Sequence, residues 1–532
     1  MTQRTVFGWK TKNVESTGNM MEHGDRAVAI IGDQRIEITA ADSYKEEGLK
    51  NTTFLHHTDE FHQSQILDKT VLGYGAIFGL QEDTGLQGNQ YSLVGSIAPI
   101  AQLAWQPFSM ILIVKVPHRI LMPSLVLGWG IAQAAMAACH NYPSLLAARF
   151  FLGIFEAGCL PLFSVITSHW YRRAEQPIRV AAWYGTNGIA TIVASALSYG
   201  LGHIPSKVLK SWQMCVRIFL FVGLLTIVSV PFVYWKLDND IASARFLSER
   251  ERLQAIERLR ANQTGTGTRE FKWSHVVEAV LEPKTYLWIS MSLLLNVGAS
   301  VTNVFGPLIL NGLGFDKYIT SLLNMPFGAV QVIVILLASY AAQKARMKSV
   351  VLAGLVLPVV VGLAMLHTLQ RTSSQQAALL VAYYLLAFLF GGNPLIVAWI
   401  VGNTGGTTKK SINMSLYNAG SSAGNIIGPL LFNKKDAPHY KPGIRAVLGI
   451  FIALAAVALI QVANLILLNK LHQRSRVAAG KQAIIKDRSM YNRYVDEVGD
   501  NEGPEANYGR RLGDNAFLDL TDRRNNEFVY IY

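Results

Sequence analysis

Two charged residues lie deep inside a long apolar stretch of this sequence: Arg149 and Glu156, in the segment ARFFLGIFEAG. A charge within an apolar helix is costly in free energy, so such residues usually serve a function. Seven residues make about two helical turns, which places both side chains on one face, about 10 Å apart along the axis. There Arg149 could bind a carboxylate through two hydrogen bonds, and Glu156 could take up and release a proton. The structural alternative is that both charges brace neighbouring helices through backbone carbonyls or through each other.

Asparagine side chains extend this polar surface to other apolar stretches. Asn296 and Asn303 repeat the seven-residue spacing and would share one face of a helix, while Asn393 and Asn418 lie in later stretches. We predict that these four amides line a substrate path together with Arg149. The alternative is that they form hydrogen bonds between helices, which is the commoner role for any single amide in an apolar helix.

The elements that carry these residues are predicted from the apolar content of the chain. Of its 532 residues, 51% are hydrophobic and only 16% are charged, whereas soluble domains average roughly 25% charged residues. Nearly charge-free runs, each about as long as a helix needs to cross a hydrocarbon core of roughly 30 Å, predict membrane helices. These eleven spans are 89–114, 120–139, 144–168, 178–202, 214–236, 286–310, 319–343, 348–368, 377–402, 411–432 and 444–469. The runs do not alternate polar and apolar residues, so they do not indicate barrel strands.

A twelfth apolar segment precedes these spans, but charged residues interrupt it. Ile66–Leu80 is interrupted by Asp68 and Lys69 and is too short to cross a membrane alone. The predicted fold class is therefore an all-α integral membrane protein with eleven clear spans, whose first helix is missing or truncated.

Basic residues occur at corresponding positions between the predicted spans in the two halves of the chain. Lys115 and Arg119 follow the first clear span, and Lys344 and Arg346 lie in the corresponding gap of the second half. This repetition predicts two six-helix bundles in parallel orientation. The predicted divisions are a polar N-terminal tail at 1–65, helical bundles at 66–237 and 286–470, a cytoplasmic linker with an amphipathic helix at 238–285, and an irregular cytoplasmic C-terminal tail at 471–532.

The formal net charge of +13 has two possible sources, a polyanionic partner or membrane orientation. Much of the Lys and Arg lies in predicted loops, linker and tail, which favours a cytoplasmic position for these segments. One loop, which contains Lys434, Lys435, Lys441 and Arg445, carries its charge on the predicted outer side. Basic residues interleaved with aromatics along an exposed face are missing, so we predict no nucleic-acid partner.

Signatures of enzymes and of bound metals are missing from the sequence. Cys139, Cys159 and Cys215 have no paired spacing, which excludes a disulfide framework and a Cys-based zinc site. No HExxH pattern and no complete phosphate-binding loop occur, so we predict neither an enzyme nor a cofactor. Since there is no ATP-binding cassette, any transport would have to be driven by a gradient.

Several motifs are similar to those of a known family: LDKTVLGYGAIFGL, LLAARFFLGIFEAG, SHWYRRAEQPIRVAAWYG, NAGSSAGNIIGPLLF and DLTDRRNNEFVYIY. From about residue 66 to its end, the chain resembles the allantoate permease family, anion:cation symporters of the major facilitator superfamily found in fungi. The resemblance implies twelve helices and a central cavity that opens alternately to each side. It also implies proton-coupled uptake of a small organic anion such as allantoate, ureidosuccinate or a nicotinate-like vitamin.

The resemblance further implies roles for individual residues. In related organic-anion transporters an Arg and a Glu seven residues apart on the fourth helix bind the substrate carboxylate and couple protons, which implies these roles for Arg149 and Glu156. The segments KVPHR and KARMK look like shortened forms of the basic loops of the superfamily. The candidate gating and loop residues are Asp68, Lys115, Arg119, Arg172, Arg173, Lys344 and Arg346.

The chain departs from the family at its first helix. Family members carry a full apolar span before LDKT, and that span is missing here. Eleven spans with a cytoplasmic C-terminus would place the N-terminal tail outside. There Asn51, in the sequence Asn-Thr-Thr, would be a candidate for glycosylation.

The predicted function is secondary active transport of a small carboxylate-bearing metabolite, by proton symport and alternating access. The predicted partners are the anionic substrate, protons and the lipid bilayer, and we expect a monomer in the plasma membrane. One alternative is an exporter or carrier of a specialised metabolite linked to a biosynthetic gene cluster. Another is a non-transporting nutrient sensor or an impaired paralogue, which the missing first helix and the long polar tails favour.

Overall fold

The computed structural model describes residues 26–31, 34–39, 90–139, 141–202, 211–264, 267–311, 317–370, 372–432, 440–485, 487, 489–490 and 515–532. The predicted glycosylation site Asn51, the loop residue Asp68 and the interrupted segment Ile66–Leu80 lie outside the described residues. A missing or truncated first helix and an outer N-terminal tail therefore stay predictions.

Helices dominate the described part of the chain. They are α1 (Gln90–Lys115), α2 (His118–Ala135), α3 (Tyr142–Trp170), α4 (Gln176–Gly202), α5 (Ser211–Lys236), α6 (Glu249–Arg258), α7 (Trp273–Leu281), α8 (Pro283–Asn311), α9 (Lys317–Ala345), α10 (Lys348–Thr368), α11 (Gln376–Leu385), α12 (Gly392–Gly402), α13 (Thr407–Leu430) and α14 (Lys441–Ala478). Short 3-10 turns follow α2 (Met136–Ala138) and α6 (Arg260–Asn262), precede α11 (Ser373–Gln375) and join α11 to α12 (Leu386–Gly391). Within the predicted N-terminal tail, strands β1 (Arg26–Ile31) and β2 (Gln34–Thr39) pair antiparallel.

Each of the eleven predicted spans falls on helical structure, and eight helical stretches in the described residues are long and apolar enough to cross a membrane. The spans predicted at α4, α5 and α13 are not among these eight. Helix α13 contains many Ser, Asn and Gly residues, which lower its hydropathy. Within α5 the described apolar stretch is Gly223–Lys236, which is shorter than a full span. The number of eleven spans therefore stays a prediction.

The helices pack as two groups that meet mainly along two helix pairs. Within the first group α1 contacts α3 and α2 contacts α5, and within the second group α8 contacts α13 and α10 contacts α14. Between the groups, α4 packs against α9 and α1 packs against α13. At the crossing of α4 and α9 two glycines face each other, and a Cβ added to Gly328 would lie 2.7 Å from the Gly188 carbonyl oxygen. Only glycine permits this close approach of two backbones.

Helix α3 positions both of the charged residues that the sequence singles out. Its N-terminus is capped by Asn141, whose side chain accepts a hydrogen bond from the backbone N–H of Ser144 at 3.0 Å. Pro143 follows in the first turn, where its missing N–H costs no helical hydrogen bond. The helix then continues to Trp170, so Arg149 and Glu156 lie two turns apart on the same helix.

The predicted amphipathic helix of the linker is α6. The Ser248 backbone N–H donates a hydrogen bond to the Glu251 carboxylate at 2.9 Å, and the Glu251 backbone N–H donates one to the Ser248 hydroxyl oxygen at 3.4 Å. This is the reciprocal capping that a Ser and a Glu three residues apart provide at a helix N-terminus. An ion pair between Arg258 and Glu175 then holds α6 against the first group of helices.

We call the end of the molecule that carries α6 and α7 the linker end, and residues 515–532 the C-terminal segment. The C-terminal segment has no regular helix or strand, and it packs into the linker end with Phe528, Tyr530 and Ile531 buried. Helix α14 runs to Ala478, beyond residue 470, where the sequence placed the end of the second bundle. The predicted tail is thus irregular at its end, but that end is part of the packed structure.

Candidate functional site

The two charged residues of α3 are both buried, with exposed fractions of 3% for Arg149 and 2% for Glu156. The Arg149 Nε–H donates a hydrogen bond to the Val94 carbonyl oxygen of α1 at 2.8 Å. This bond is of the bracing kind that the structural alternative expects. It uses one of the five N–H donors of a guanidinium group, so it is compatible with a second role in binding an anion.

Two of the four predicted asparagines contact each other directly. Asn296 of α8 and Asn393 of α12 exchange hydrogen bonds between their side-chain amides at 3.3 and 3.4 Å. The Tyr417 hydroxyl of α13 donates to the Asn393 amide oxygen at 2.6 Å, and the Asn296 amide also donates to the Ser292 carbonyl at 2.8 Å. Three helices of the second group are joined by this buried network.

Asn418 connects the second group of helices to α3 beside Glu156. Its amide donates to the Ala157 carbonyl oxygen at 3.0 Å, and the Gln106 amide of α1 donates to the same carbonyl at 3.2 Å. The structure therefore brings Asn418 close to Glu156, as it brings Asn296 close to Asn393. Asn303 is half-buried, two turns further along α8 than Asn296.

Several polar residues of this region were missed by the sequence analysis. Ser422 of α13 donates a hydrogen bond to the Gln102 side chain of α1 at 3.1 Å, which joins the two groups of helices. Gln102 and Gln106 are four residues apart and both buried in α1. A search for amides four residues apart, which also share one helix face, could have found these glutamines, whereas Tyr417 gave no signal, because tyrosine is common in apolar helices.

The predicted loop residues fall into three situations. Arg119 is fixed within the first group, because its Nε–H donates to the Tyr234 carbonyl at 3.0 Å and its guanidinium lies 4.7 Å from the centre of the Tyr234 ring. Lys115, Lys344 and Arg346 are exposed. Arg172 and Arg173 are buried, each with an exposed fraction of 1%. A gating role for any of these residues stays a prediction.

Arg173 contacts both the linker and the C-terminal segment. Its backbone N–H donates to the Asn262 side chain at 3.0 Å, and its Nη1–H donates to the Val529 carbonyl at 3.1 Å. Its guanidinium also lies 4.2 Å from the centre of the Phe528 ring, within the range of a cation–π contact. Burial lowers the pKa of Arg173 to about 10, so the residue stays charged at neutral pH.

Two lysines at the linker end are fully paired with carboxylates, and we call this group the ion-pair cluster. Its members are Lys284, Lys409, Glu278, Glu282 and Asp522. Lys409 lies 2.8, 2.7 and 2.9 Å from oxygens of Glu278, Glu282 and Asp522, and Lys284 also pairs with Asp522. Burial alone would raise the pKa of Asp522, but the two lysines hold that pKa well below its ordinary value. Asp522 therefore fixes the C-terminal segment to α8 and α13 as a charged group.

A second carboxylate of the C-terminal segment is held at the start of α13. Asp519 accepts hydrogen bonds from the Thr407 backbone N–H at 2.7 Å, the Lys272 ammonium at 2.7 Å and the Thr268 hydroxyl at 3.0 Å. Burial would raise the pKa of Asp519, but these donors lower it below its ordinary value. The Ile531 carbonyl adds a contact to α12 by accepting a 2.8 Å hydrogen bond from the Trp399 indole.

Comparison with protein families places this architecture among membrane carriers. Residues 65–429 match the family model described as Major Facilitator Superfamily. An uncharacterized transporter of Schizosaccharomyces pombe is 34% identical over 88% of this chain and 83% of its own length. In Saccharomyces cerevisiae, a thiamine pathway transporter is 29% identical over 88% of this chain and 82% of its own length. The allantoate permease of the same yeast is 29% identical over 78% and 77%.

Solved structures share the arrangement of the helices. A proton:xylose symporter of the major facilitator superfamily superposes with a TM-score of 0.60, over 77% of this chain and 95% of that structure. The two sequences are 11% identical, so the likeness concerns the fold alone.

Proposed function

The chain belongs to the major facilitator superfamily, and on this premise we propose that it carries a small organic anion across a membrane by proton symport. The observation that supports this most is the environment of α3. There a buried arginine and a buried glutamate lie two turns apart, and Asn418 of the opposite group donates a hydrogen bond to the carbonyl of the next residue, Ala157. A site between the two groups, with one basic and one protonatable side chain, is suited to this coupling.

An anionic substrate is proposed because of the chemistry of Arg149. A guanidinium group binds a carboxylate through two parallel hydrogen bonds, and the apolar surroundings of a membrane helix strengthen such contacts. The yeast allantoate permease among the relatives supports a small carboxylate. The thiamine pathway transporter among them is the reason for testing a panel of metabolites and not allantoate alone.

Proton coupling is assigned to Glu156. Glu156 is buried, and a carboxyl group that passes between a wet and a dry environment changes its affinity for protons. Asn418 lies beside it on the opposite group of helices, and movement of the two groups would alter that environment. The crossing of Gly188 and Gly328 gives the groups a close backbone contact about which to rock.

We also propose an orientation of the protein in the membrane and a cellular location. The chain is a multi-pass membrane protein, and we place its linker end in the cytoplasm because Lys and Arg accumulate on that side. We further propose import through the plasma membrane by a monomer. Export of a specialised metabolite would show as efflux in the uptake assay below, and a sensor would show no flux.

The test of substrate class is uptake of a metabolite panel by cells that express the full chain. The panel contains labelled allantoate, ureidosuccinate, nicotinate and thiamine, with the neutral amide of each carboxylate as its partner. We expect one carboxylate to be taken up and its amide to be ignored. Arg149→Ala should raise the KM for that carboxylate about tenfold or more, because a charge-assisted hydrogen bond contributes roughly 1.5–3 kcal/mol.

The matched control is Arg474→Ala, which removes an exposed arginine from α14. It should leave uptake unchanged at equal amounts of protein in the membrane. Equal uptake of an amide and its carboxylate, or an unchanged KM in Arg149→Ala, would remove the anion from the proposal.

A further inference from the structure

Three buried cations at the linker end form a second group, which we call the cation cluster. Arg173 follows α3 in the first group of helices, whereas Lys348 begins α10 and Lys410 lies in the first turn of α13. Each of the three has an exposed fraction of 1%. They come from both groups of helices, so they lie where the two halves of the carrier meet.

In the part of the chain that the structure describes, none of these three cations is ion-paired with a carboxylate. The Lys348 ammonium has no hydrogen-bond partner there, and Arg173 uses only Nη1 while its Nε and Nη2 remain unused. The Lys410 ammonium has one long hydrogen bond, 3.4 Å to the Ser168 hydroxyl. Buried charges in proteins are normally paired, because desolvation is otherwise uncompensated.

Three carboxylates act on the cation cluster from a distance but are engaged elsewhere. Asp487 attracts Arg173 and Lys348 electrostatically, yet it accepts hydrogen bonds from the Ser489 backbone N–H at 2.9 Å and the Ser489 hydroxyl at 2.6 Å. Asp519 acts on Lys410 but is bonded at the start of α13, and Asp522 acts on Arg173 but is paired with Lys284 and Lys409. None of the three forms a hydrogen bond with the unused donors.

The Lys348 ammonium and the Gln176 amide oxygen share one space beneath the C-terminal segment, and Arg173 acts electrostatically on both Lys348 and Lys410. A Cβ on Gly402 would lie 3.6 Å from the Lys348 ammonium and 3.8 Å from the Gln176 amide oxygen, which also lacks a partner in the described residues. The Ile531 side chain borders the same point at 3.0 Å. The backbone N–H of Lys348 donates to the Tyr532 carbonyl at 2.8 Å, and Phe528 covers Arg173.

We propose that Arg173, Lys348 and Lys410 form a second anion-binding site, separate from Arg149, which takes one small oxyanion such as a carboxylate or a phosphate. The unused N–H donors provide the hydrogen bonds, and the anion provides the missing countercharge. A cleft of about 360 Å³, lined by Arg346, Arg476, Asp487 and Val529–Tyr532, lies on the other side of the C-terminal segment, so an anion would reach the site from this cleft when the segment moves. The C-terminal segment covers the site and separates it from that cleft.

The test is thermal unfolding of the purified full chain in detergent, in an Arg149→Ala background that disables the proposed substrate site. The probes are inorganic phosphate and, separately, allantoate, each compared with sodium chloride at equal ionic strength. We expect a saturable rise of about 2 °C or more in Tm with at least one probe, because a ligand that binds only the folded chain stabilises it. Phosphate alone would indicate a cytosolic inorganic anion, and allantoate would indicate a carboxylate in transit; either result supports the site.

Two buried lysines provide the matched variants. Lys348→Met should abolish the rise in Tm and leave the anion-free Tm unchanged or higher, since it removes a charge that no carboxylate pairs. Lys409→Met should lower the anion-free Tm, because it removes an ammonium group that three buried carboxylates share and leaves Glu282 and Asp522 with Lys284 alone, and it should keep the rise. If Lys348→Met does not fold, Lys410→Met should likewise lose the rise.

Three results would contradict the proposed anion-binding site. They are no rise in Tm with either probe, a full rise in Tm in Lys348→Met, and an anion-free Tm that falls as far in Lys348→Met as in Lys409→Met. A full rise in Lys348→Met is expected if Lys348 is simply neutral in the folded chain. Since these measurements do not involve transport, a failed uptake assay with an intact anion effect would count against the proposed function alone.

Discussion

The ion-pair cluster and the cation cluster lie at the same end of the molecule, and both bury lysine side chains almost completely. Lys409 is surrounded by three carboxylates within 2.9 Å, whereas the Lys348 ammonium has no partner in the residues that the structure describes. Residue type and burial are the same in the two places, so only the partners differ. In the first cluster the charges hold the C-terminal segment in place, and in the second they are available to an anion.

This difference determines what a substitution should do. Removing one partner of a buried ion pair costs roughly 3–5 kcal/mol, because the other charge stays buried and unpaired. Replacing a buried charge that has no carboxylate partner by an apolar side chain of similar size removes a desolvation cost. Two lysines that burial alone could not distinguish should therefore respond in opposite directions.

The largest effect is expected for Asp522→Asn, which removes the carboxylate shared by Lys284 and Lys409. We expect a loss of about 3–5 kcal/mol in the free energy of unfolding, since both lysines then lose a charged partner in a buried site. Release of the C-terminal segment should appear as new protease cleavage within 515–532 at native temperature. The exposed neighbour Arg523→Ala is the control and should change neither quantity. If the C-terminal segment resisted the protease equally well in Asp522→Asn and Arg523→Ala, Asp522 would not be the residue that holds it in place.

A smaller effect is expected when the cation cluster is given its own carboxylate. Gln176→Glu places an acid where the amide oxygen now lies without a partner near Lys348. The new ion pair should stabilise the folded chain by about 1 kcal/mol or more, and it should abolish the Tm response to phosphate. Gln176→Met, which adds no charge, should keep that response. A destabilised Gln176→Glu chain that still responds to phosphate would contradict the account of the cluster.

The smallest effect is expected when the pH is lowered from 7 to 5. The pKa values of Asp519 and Asp522 are lowered in the folded chain, so their contribution to stability is present above the unfolded value of about 3.9. It is lost only as the pH falls from there towards the folded pKa values. We therefore expect the C-terminal segment to stay protease-resistant between pH 7 and pH 5 and to be released below about pH 4. Release already at pH 6 would show that other groups control it.

Local spacing predicted much of the helical part of the site. Seven residues between Arg149 and Glu156 sufficed to place both on one helix, because an apolar run of that length has few other structures available in a membrane. The contact between Asn296 and Asn393 required two helices to pack side by side. The sequence predicted amides on both helices but could not predict their pairing.

The linker end could not be predicted in the same way. Asp522 pairs with Lys284 across 238 residues, and Arg173 contacts Val529 across 356 residues. No periodicity connects positions so far apart, and the C-terminal segment has the polar composition of a solvated tail. The unpaired state of Lys348 is harder still to foresee, because it depends on which carboxylates every neighbouring element does or does not supply.

The most direct test of the central claim, proton-coupled anion transport through α3, is accumulation by the purified chain in liposomes with an imposed pH gradient. The carboxylate identified in the uptake panel is added outside, and its entry is recorded together with proton entry. We predict accumulation only when the outside is acidic, loss of that accumulation in Glu156→Gln, and persistence of anion exchange in the same variant. Accumulation that ignores the gradient, or that is unchanged in Glu156→Gln, would contradict the account.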